Sequence, residues 1–147
     1  MSTITASIVT SENFNTLLDF LKENNLPYQD LQLDGNLFLI YHSDKRIMGC
    51  GGIEEYGHNA LLRSIAVDLQ ERGKKIGQRI VADLIAEAKN KKIESLFLLT
   101  ETARPFFLKL GFKDVPRDEA PDALKQSSEF SHVCPMSAAC MKYYIAQ

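Results

Sequence analysis

Residues 61–91 read LLRSIAVDLQERGKKIGQRIVADLIAEAKNK, and this stretch decides the predicted fold. Its first seven residues are mostly apolar and rich in β-formers, which predicts a strand over residues 61–67. From residue 76 onward the apolar side chains recur at helical spacing and share one face, which predicts a long amphipathic helix. The apolar positions of that helix are Ile76, Ile80, Val81, Leu84, Ile85 and Ala88.

A short basic turn joins the predicted strand to the predicted helix. It reads ERGKKIG over residues 71–77. The first amides of a helix lack backbone partners and carry partial positive charge, and glycines let a ligand approach the backbone closely. These features suit a phosphate or a pyrophosphate, with a solvated basic helix start as the alternative. The turn is not a P-loop, because no Gly-Lys-Ser/Thr follows, and it is not a GxGxxG loop.

The turn and its strand resemble a known motif. Residues 72–77 are similar to the (Gln/Arg)-x-x-Gly-x-(Gly/Ala) signature of the GNAT superfamily of acyl-CoA N-acetyltransferases, and residues 62–67 are similar to that family's fourth strand. Lys75 stands where the middle glycine of the signature is usual. The resemblance implies that the strand backbone holds pantetheine and polarises the acetyl carbonyl, and that the turn binds the pyrophosphate of acetyl-CoA. The residues so implied are Ile65, Ala66, Val67, Arg72, Gly73, Lys74, Lys75, Ile76, Gly77 and Gln78.

The chain around this unit predicts a mixed sheet. Residues 36–41, 47–53 and 61–67 form an antiparallel meander, and the strand–helix–strand unit over residues 61–100 adds a parallel pair with a right-handed crossover. The resemblance implies the GNAT fold, an α/β chain of the α+β kind with a mixed sheet of about six to seven strands and helices on both faces. Gly49, Gly51 and Gly52 inside a predicted strand indicate a bulge or a close approach by another backbone or a ligand.

Composition bounds the class of protein. The 147 residues predict one domain over residues 1–147. A net charge of −2 argues against nucleic acid as the main partner, and no apolar run is long enough to span a membrane. The N-terminal residues lack the pattern of a signal peptide, and three cysteines, an odd number, suggest reduced thiols. We therefore expect a cytoplasmic protein that binds no membrane. In this superfamily a homodimer would be unsurprising.

A second segment also resembles the family. Residues 103–112 (ARPFFLKLGF) are similar to the A-x-x-Phe-Tyr-x-x-x-Gly-Phe segment of GNAT enzymes, which packs along the pantetheine arm. On this resemblance Thr100, Phe106 and Phe107 are assigned to the cofactor site. Phe107 occupies the position where many members carry the tyrosine that protonates the leaving CoA thiolate. Either another group or water then supplies the proton in place of that tyrosine, or the thiolate leaves without being protonated.

The C-terminal residues resemble one branch of the family. This branch is found in bacteria with arsenic-resistance operons. The upstream segments LLRSIAV (residues 61–67) and LFLLTETARPFF (residues 96–107) fit the same branch and are also similar to the acetyltransferase domain of N-acetylglutamate synthases. Both relatives imply a small amine that carries a carboxylate as the acceptor. The residues that carry the resemblance are Arg117, Pro121, Leu124, Ser128, Glu129, Phe130, Cys134, Pro135, Ser137, Ala138 and Met141.

The expected reaction is transfer of acetyl from acetyl-CoA to an amino acid or a toxic amino-acid analogue in a ternary complex. The amine must lose a proton before it attacks, and a positioned carboxylate can take that proton. Glu54 is the candidate base and Glu55 the second, each weighed against a solvated acidic turn. A CoA-binding module without turnover, or a protein or peptide N-acetyltransferase, is the alternative function.

Three further residues are weighed for roles in the reaction. Arg63 and Arg117 either grip the acceptor carboxylate or form structural ion pairs. Cys134 either donates the proton that Phe107 lacks or is packed. His132 and Cys134 with Cys140 match no standard zinc spacing, so we expect no metal.

Overall fold

The computed structural model describes residues 4–44, 46–127, 130 and 137–145. The strands are β1 (Thr5–Ile8), β2 (Leu37–Ser43), β3 (Arg46–Tyr56), β4 (Asn59–Val67), β5 (Ser95–Thr100), β6 (Lys113–Asp114) and β7 (Ala139–Tyr144). The helices are α1 (Phe14–Glu23), α2 (Ile76–Asn90), α3 (Arg104–Lys109) and α4 (Asp122–Lys125), with 3₁₀ turns at Leu69–Glu71 and Arg117–Glu119. None of the helices in the described part of the chain is long and apolar enough to cross a membrane.

The seven strands form one mixed sheet in the order β1-β2-β3-β4-β5-β7-β6. Strand β4 pairs with β5 in parallel, with Asn59 opposite Ser95 and Leu61 opposite Phe97. The pairs β1–β2, β2–β3, β5–β7 and β6–β7 are antiparallel. The sheet therefore confirms the predicted meander, the predicted parallel pair and the predicted number of strands. Helix α2 confirms the predicted amphipathic helix, because five of its six apolar positions are buried: Ile76, Ile80, Val81, Leu84 and Ala88.

The chain divides into two compact units, and each has its own core. The first contains residues 1–54 and 64–84. Its buried core is Val9, Leu17, Phe20, Leu21, Leu31, Phe38, Ile40, Cys50 and Ala66. Gly51 of β3 lies under helix α2, because a Cβ atom there would stand 2.7 Å from Ile80 and 2.9 Å from Leu84. The close approach at Gly51 is thus made by side chains, and not by the backbone or ligand that the sequence predicted.

The second unit contains residues 55–63 and 85–147. Its core combines β5 and β7 with the short helix α4. The buried residues are Leu61, Phe97, Leu99, Ala120, Leu124, Phe130, Ala138 and Cys140. The boundaries between the units fall inside β3, β4 and α2 rather than in linkers. A single domain over residues 1–147 remains our prediction.

Candidate active site

The turn between β4 and α2 has two residues in the left-handed region. Gly73 has φ +87° and Lys75 has φ +65°. Lysine at such a φ costs about 1–2 kcal/mol relative to an ordinary helical or extended conformation. Lys75 therefore adopts a backbone conformation that glycine reaches without this steric cost.

The start of helix α2 presents backbone amides and charge to solvent. The first intrahelical bond runs from the Arg79 amide to the Lys75 carbonyl, at 3.2 Å. The amides of residues 76–78 precede that bond and have no partner within the helix. The side chains of Arg72, Lys74 and Lys75 are exposed, whereas Ile76 is 3% exposed. Ile76 can therefore offer a ligand only its backbone, whereas the three cationic side chains lie at the surface beside it. Two of them have partners: Arg72 Nε donates to the Val67 carbonyl at 3.4 Å, and Lys74 contacts Glu71.

Ion pairs connect the start of strand β3 to the residues that lead into this turn. Arg46, the first residue of β3, forms ion pairs with Asp68 and Glu71, the latter at 2.7 Å. Lys74 reaches the other oxygen of Glu71 at 3.2 Å. Two hydrogen bonds lower the pKa of Glu71 below its ordinary value; the bond from Arg46 has the larger effect and the bond from Lys74 the smaller. This carboxylate is therefore charged at neutral pH although it is 5% exposed.

The middle of strand β4 departs from regular strand geometry. Ser64 has φ +62°, and its carbonyl accepts a 3.2 Å hydrogen bond from the Cys50 thiol. Cys50 lies in the buried core, and burial raises the pKa of its thiol to about 12. The following residues, Ile65, Ala66 and Val67, are the predicted pantetheine contacts. Their backbone direction is set by this left-handed residue, because it interrupts the alternation of the strand.

The two acidic candidates lie in strand β3 and differ in burial. Glu54 is 6% exposed, whereas Glu55 is half-buried and forms an ion pair with Lys91 at 3.4 Å. This difference fits the alternation of neighbouring side chains between the two faces of a strand. Because Glu54 lies within a strand and is buried, the alternative of a solvated acidic turn does not describe it. Glu54 as the base remains a prediction.

The predicted acceptor-binding arginines lie in different settings. Arg63 of β4 is 3% exposed. Arg117 donates a 3.2 Å hydrogen bond from Nη2 to the Phe130 carbonyl, and its guanidinium carbon lies 5.5 Å from the centre of the Phe130 ring. These contacts give Arg117 a structural role in fixing Phe130. Binding of an acceptor by either arginine stays a prediction.

The predicted pantetheine segment contains a hydrogen bond just before helix α3 and leads into an aromatic cluster. The Thr100 hydroxyl accepts a 3.0 Å hydrogen bond from the Ala103 amide just before α3. Phe107 is 6% exposed and packs edge-on against Phe106 and Phe112, with ring centres 5.1 and 5.4 Å apart. Phe107 has no proton to donate, and its ring contributes packing.

Of the three residues weighed as metal ligands, only Cys140 belongs to the described residues. Cys134 and His132 lie outside the described residues. Cys140 is a buried free thiol, and desolvation raises its pKa. Within the described ranges, no group of three His, Cys, Asp or Glu side chains could hold a metal ion.

Sequence reasoning missed the residues that hold the turn, namely Arg46, Asp68, Gln70 and Glu71. Arg46 lies more than twenty positions from its partners, at separations of 22 to 25 residues. No periodicity or motif connects residues so far apart. The one local signal is an acidic residue just before the 3₁₀ turn, Asp68, and another at its end, Glu71, immediately before a basic stretch.

The described strands form a seven-stranded mixed sheet, and a turn with two residues of positive φ precedes helix α2. This is the architecture of an acyl-CoA acetyltransferase domain. The chain belongs to the acetyltransferase (GNAT) domain family, whose pattern it matches over residues 34–114. This match confirms the predicted family.

Known proteins agree with this assignment. The chain is 26% identical over 95 residues to the amino-acid acetyltransferase of Vibrio atlanticus (strain LGP32). The aligned residues make up 63% of this chain and 21% of that protein. Its fold is similar to that of the N-acetylglutamate synthase from Neisseria gonorrhoeae complexed with coenzyme A and L-arginine, with a TM-score of 0.81 and 16% identity over all of this chain and 34% of that one. A GNAT acetyltransferase from Staphylococcus aureus Mu50 gives a TM-score of 0.77 and 17% identity over 98% of this chain and 100% of that one. The chain thus spans about a fifth to a third of the two amino-acid-related proteins.

Proposed function

We propose that this chain transfers an acetyl group from acetyl-CoA to the amine of an amino acid or a toxic amino-acid analogue. The amine attacks the thioester directly in a ternary complex, with no acyl-enzyme. The observation that carries the proposal is the β4–α2 turn, in which Lys75 adopts a glycine-type conformation directly before the free amides of α2. Membership of the GNAT family supports acetyl-CoA as the donor.

The donor is bound by backbone first and by charge second. The amides at the start of α2 would hydrogen-bond the pyrophosphate oxygens, and the exposed side chains of Arg72, Lys74 and Lys75 would neutralise their charge. The backbone of residues 65–67 would hold pantetheine and donate to the thioester carbonyl as negative charge develops there. Thr100 and the ring of Phe106 would contact the arm.

The acceptor must be deprotonated at neutral pH, and Glu54 is the proposed base. Glu54 lies within strand β3 and is only 6% exposed, so its carboxylate is shielded from bulk solvent. Arg63 would bind the acceptor carboxylate, and Arg117 is a second candidate. The amino-acid acetyltransferase of Vibrio atlanticus supports an acceptor of this class. The resemblance of the C-terminal residues to the arsenic-resistance branch supports a small amine that carries a carboxylate, either an amino acid or a toxic amino-acid analogue.

The leaving thiolate lacks the tyrosine of many relatives. Cys134 is the proposed proton donor in its place, and water is the alternative. The same feature favours a second candidate function, a CoA-binding module without turnover, because Phe107 has no proton to give. A cytoplasmic location, a homodimer and the absence of nucleic-acid or membrane partners remain predictions.

One experiment decides between these functions. Purified protein is titrated with acetyl-CoA, and release of free thiol is then followed against a panel of amino acids and amino-acid analogues. Binding with acceptor-dependent thiol release is the expected result and identifies the acceptor class. Binding without release points to the module or to a protein acceptor. Absence of binding contradicts the proposal.

A further inference from the structure

Arg46 contacts three side chains that belong to one short segment of the chain. Its Nη1 donates to Glu71 Oε2 at 2.7 Å, and its Nη2 donates to Gln70 Oε1 at 2.9 Å. Nη2 also pairs with the Asp68 carboxylate. The three partners lie in and beside the 3₁₀ turn Leu69–Glu71 that precedes the basic turn. A single guanidinium from β3 thus fixes the whole segment, since its planar fork can serve several acceptors at once.

Glu71 passes this constraint on to the basic turn. One of its oxygens bonds to Arg46 and the other to Lys74. Glu71 is 5% exposed, whereas the Lys74 side chain is 63% exposed. The position of the exposed Lys74 ammonium group therefore depends on the buried Glu71 carboxylate, and Arg46 holds that carboxylate in place.

The same contacts set the charge next to the predicted phosphate site. Asp68 and Glu71 bring two negative charges close to the turn, and Arg46 offsets one of them. Without Arg46, both carboxylates would repel a nearby pyrophosphate. Glu71 would also bind Lys74 more strongly and compete with phosphate for it.

We propose that Arg46 is a positioning residue for binding of the donor's pyrophosphate, acting through Asp68, Gln70 and Glu71. This inference rests on the proposed use of acetyl-CoA. Arg46 makes no contact with the donor in this proposal; it holds the segment that leads into the turn and sets the place of Lys74.

The test compares three ligands with Arg46→Met. Coenzyme A and 3′-dephospho-CoA both carry the pyrophosphate, whereas pantetheine carries no phosphate. Calorimetry gives the Kd of the first two, and amide chemical-shift titration at millimolar concentrations gives that of pantetheine. We expect the Kd of the two pyrophosphate ligands to rise about tenfold or more, since charge-assisted contacts are among the stronger hydrogen bonds. The Kd of pantetheine should not change.

Two variants separate the positioning role from simple loss of charge. Arg46→Lys restores the charge but not the fork, and we expect partial rescue. Lys142→Met removes one positive charge elsewhere, where Lys142 pairs with Glu119 at 3.5 Å, and it should leave all three affinities unchanged. Equal weakening of all three ligands by Arg46→Met, or no weakening at all, would overturn the inference.

The design also covers failure of the variant or of the proposed function. Should circular dichroism show that Arg46→Met does not fold, Gln70→Leu is tested instead, because it removes the 2.9 Å contact with Arg46 Nη2 without changing the charge beside the turn. We expect a smaller rise in the Kd of the two pyrophosphate ligands and no change for pantetheine; unchanged CoA affinity in Gln70→Leu would then overturn the inference. Wild-type protein that binds no CoA contradicts the proposed function itself. If the wild type binds CoA and Arg46→Met binds it with the same Kd, only the proposed role of Arg46 is contradicted.

Discussion

The hydroxyl of Tyr41 donates a 2.6 Å hydrogen bond to Oδ2 of Asp83, which joins strand β2 to helix α2. The guanidinium of Arg79 lies 5.4 Å from the centre of the Tyr41 ring and also pairs with Asp83 at 3.7 Å. Tyr41 has no exposed surface. The helix whose first turn forms the candidate phosphate site is thus anchored further along its length by a polar contact.

Tyr41→Phe should therefore lower stability without changing the shape of the core. We expect a loss of about 1 kcal/mol, because the removed hydrogen bond has a charged acceptor that is partly exposed. For a chain of this length the Tm should fall by roughly 2–4 °C. Thermal unfolding followed by circular dichroism measures it. Tyr144→Phe, at a tyrosine that is 70% exposed, is the matched control and should leave the Tm unchanged. Equal Tm values for both variants would contradict the role of the Tyr41 hydroxyl.

Lys75→Gly should stabilise the protein. Lys75 has φ +65°, and glycine adopts this conformation without the steric cost that a Cβ atom brings. We expect a gain of about 1 kcal/mol in the free energy of unfolding, measured by urea denaturation. The amide stays in place and the lost charge is exposed, so the Kd for CoA should change by no more than about threefold.

Two controls separate the backbone effect from the side chain at residue 75. Lys75→Ala removes the same side chain but keeps the Cβ atom, so it should not stabilise. Lys92 has the same φ of +65° just after α2, and Lys92→Gly should stabilise without altering CoA binding. A destabilised Lys75→Gly would show that the lysine side chain is needed for the turn.

The sequence predicted the helix but not the residues that hold its turn. The burial of Ile76, Ile80 and Leu84 on one face of α2 follows from their spacing, because a period of 3.6 residues identifies the apolar face before any tertiary contact is known. The sheet could be predicted for the same reason, from short apolar runs separated by turn residues.

The candidate site was less predictable, because two of its features depend on the folded chain. The contacts of Arg46 with Asp68 and Glu71 join residues from different elements, and no local pattern encodes them. The left-handed conformations of Ser64 and Lys75 do not follow from residue type, since neither is glycine. Tertiary packing supplies these features, whereas local propensity opposes them.

Gly77→Asp should weaken binding of CoA while leaving the fold stable. An acidic side chain in the first turn of a helix interacts favourably with the helix dipole, so stability should be unchanged or slightly higher. The same charge would repel the pyrophosphate at close range, and we expect the Kd for CoA to rise roughly tenfold or more. Gly77→Ala adds bulk without charge and should have the smaller effect. Unchanged affinity in folded Gly77→Asp would refute the pyrophosphate assignment.

Glu54→Gln should slow acetylation at saturating acetyl-CoA and leave CoA binding intact. The amide keeps the shape of the carboxylate but cannot accept the proton of the amine, so kcat should fall about a hundredfold or more. Thiol release with the best acceptor gives the rate, and calorimetry gives the Kd. Glu55→Gln is the matched control, because Glu55 contacts Lys91 and is less buried. A normal rate in Glu54→Gln with a slow Glu55→Gln would assign the base to Glu55.

Glu71→Gln should make the free energy of unfolding less dependent on pH in the acid range. Arg46 and then Lys74 lower the pKa of Glu71 below its ordinary value of 4.5. A carboxyl group whose pKa is lowered by folding stabilises the protein fully above its ordinary pKa, and this contribution is lost as the pH falls through the pKa of the folded state. The difference in unfolding free energy between wild type and Glu71→Gln should therefore be constant from about pH 7 to about pH 5 and shrink towards about pH 3. Urea denaturation at these pH values measures the difference, with Glu23→Gln at an exposed helical position as the control. A difference that does not vary with pH would show that the ion pairs of Glu71 with Arg46 and Lys74 contribute nothing to stability.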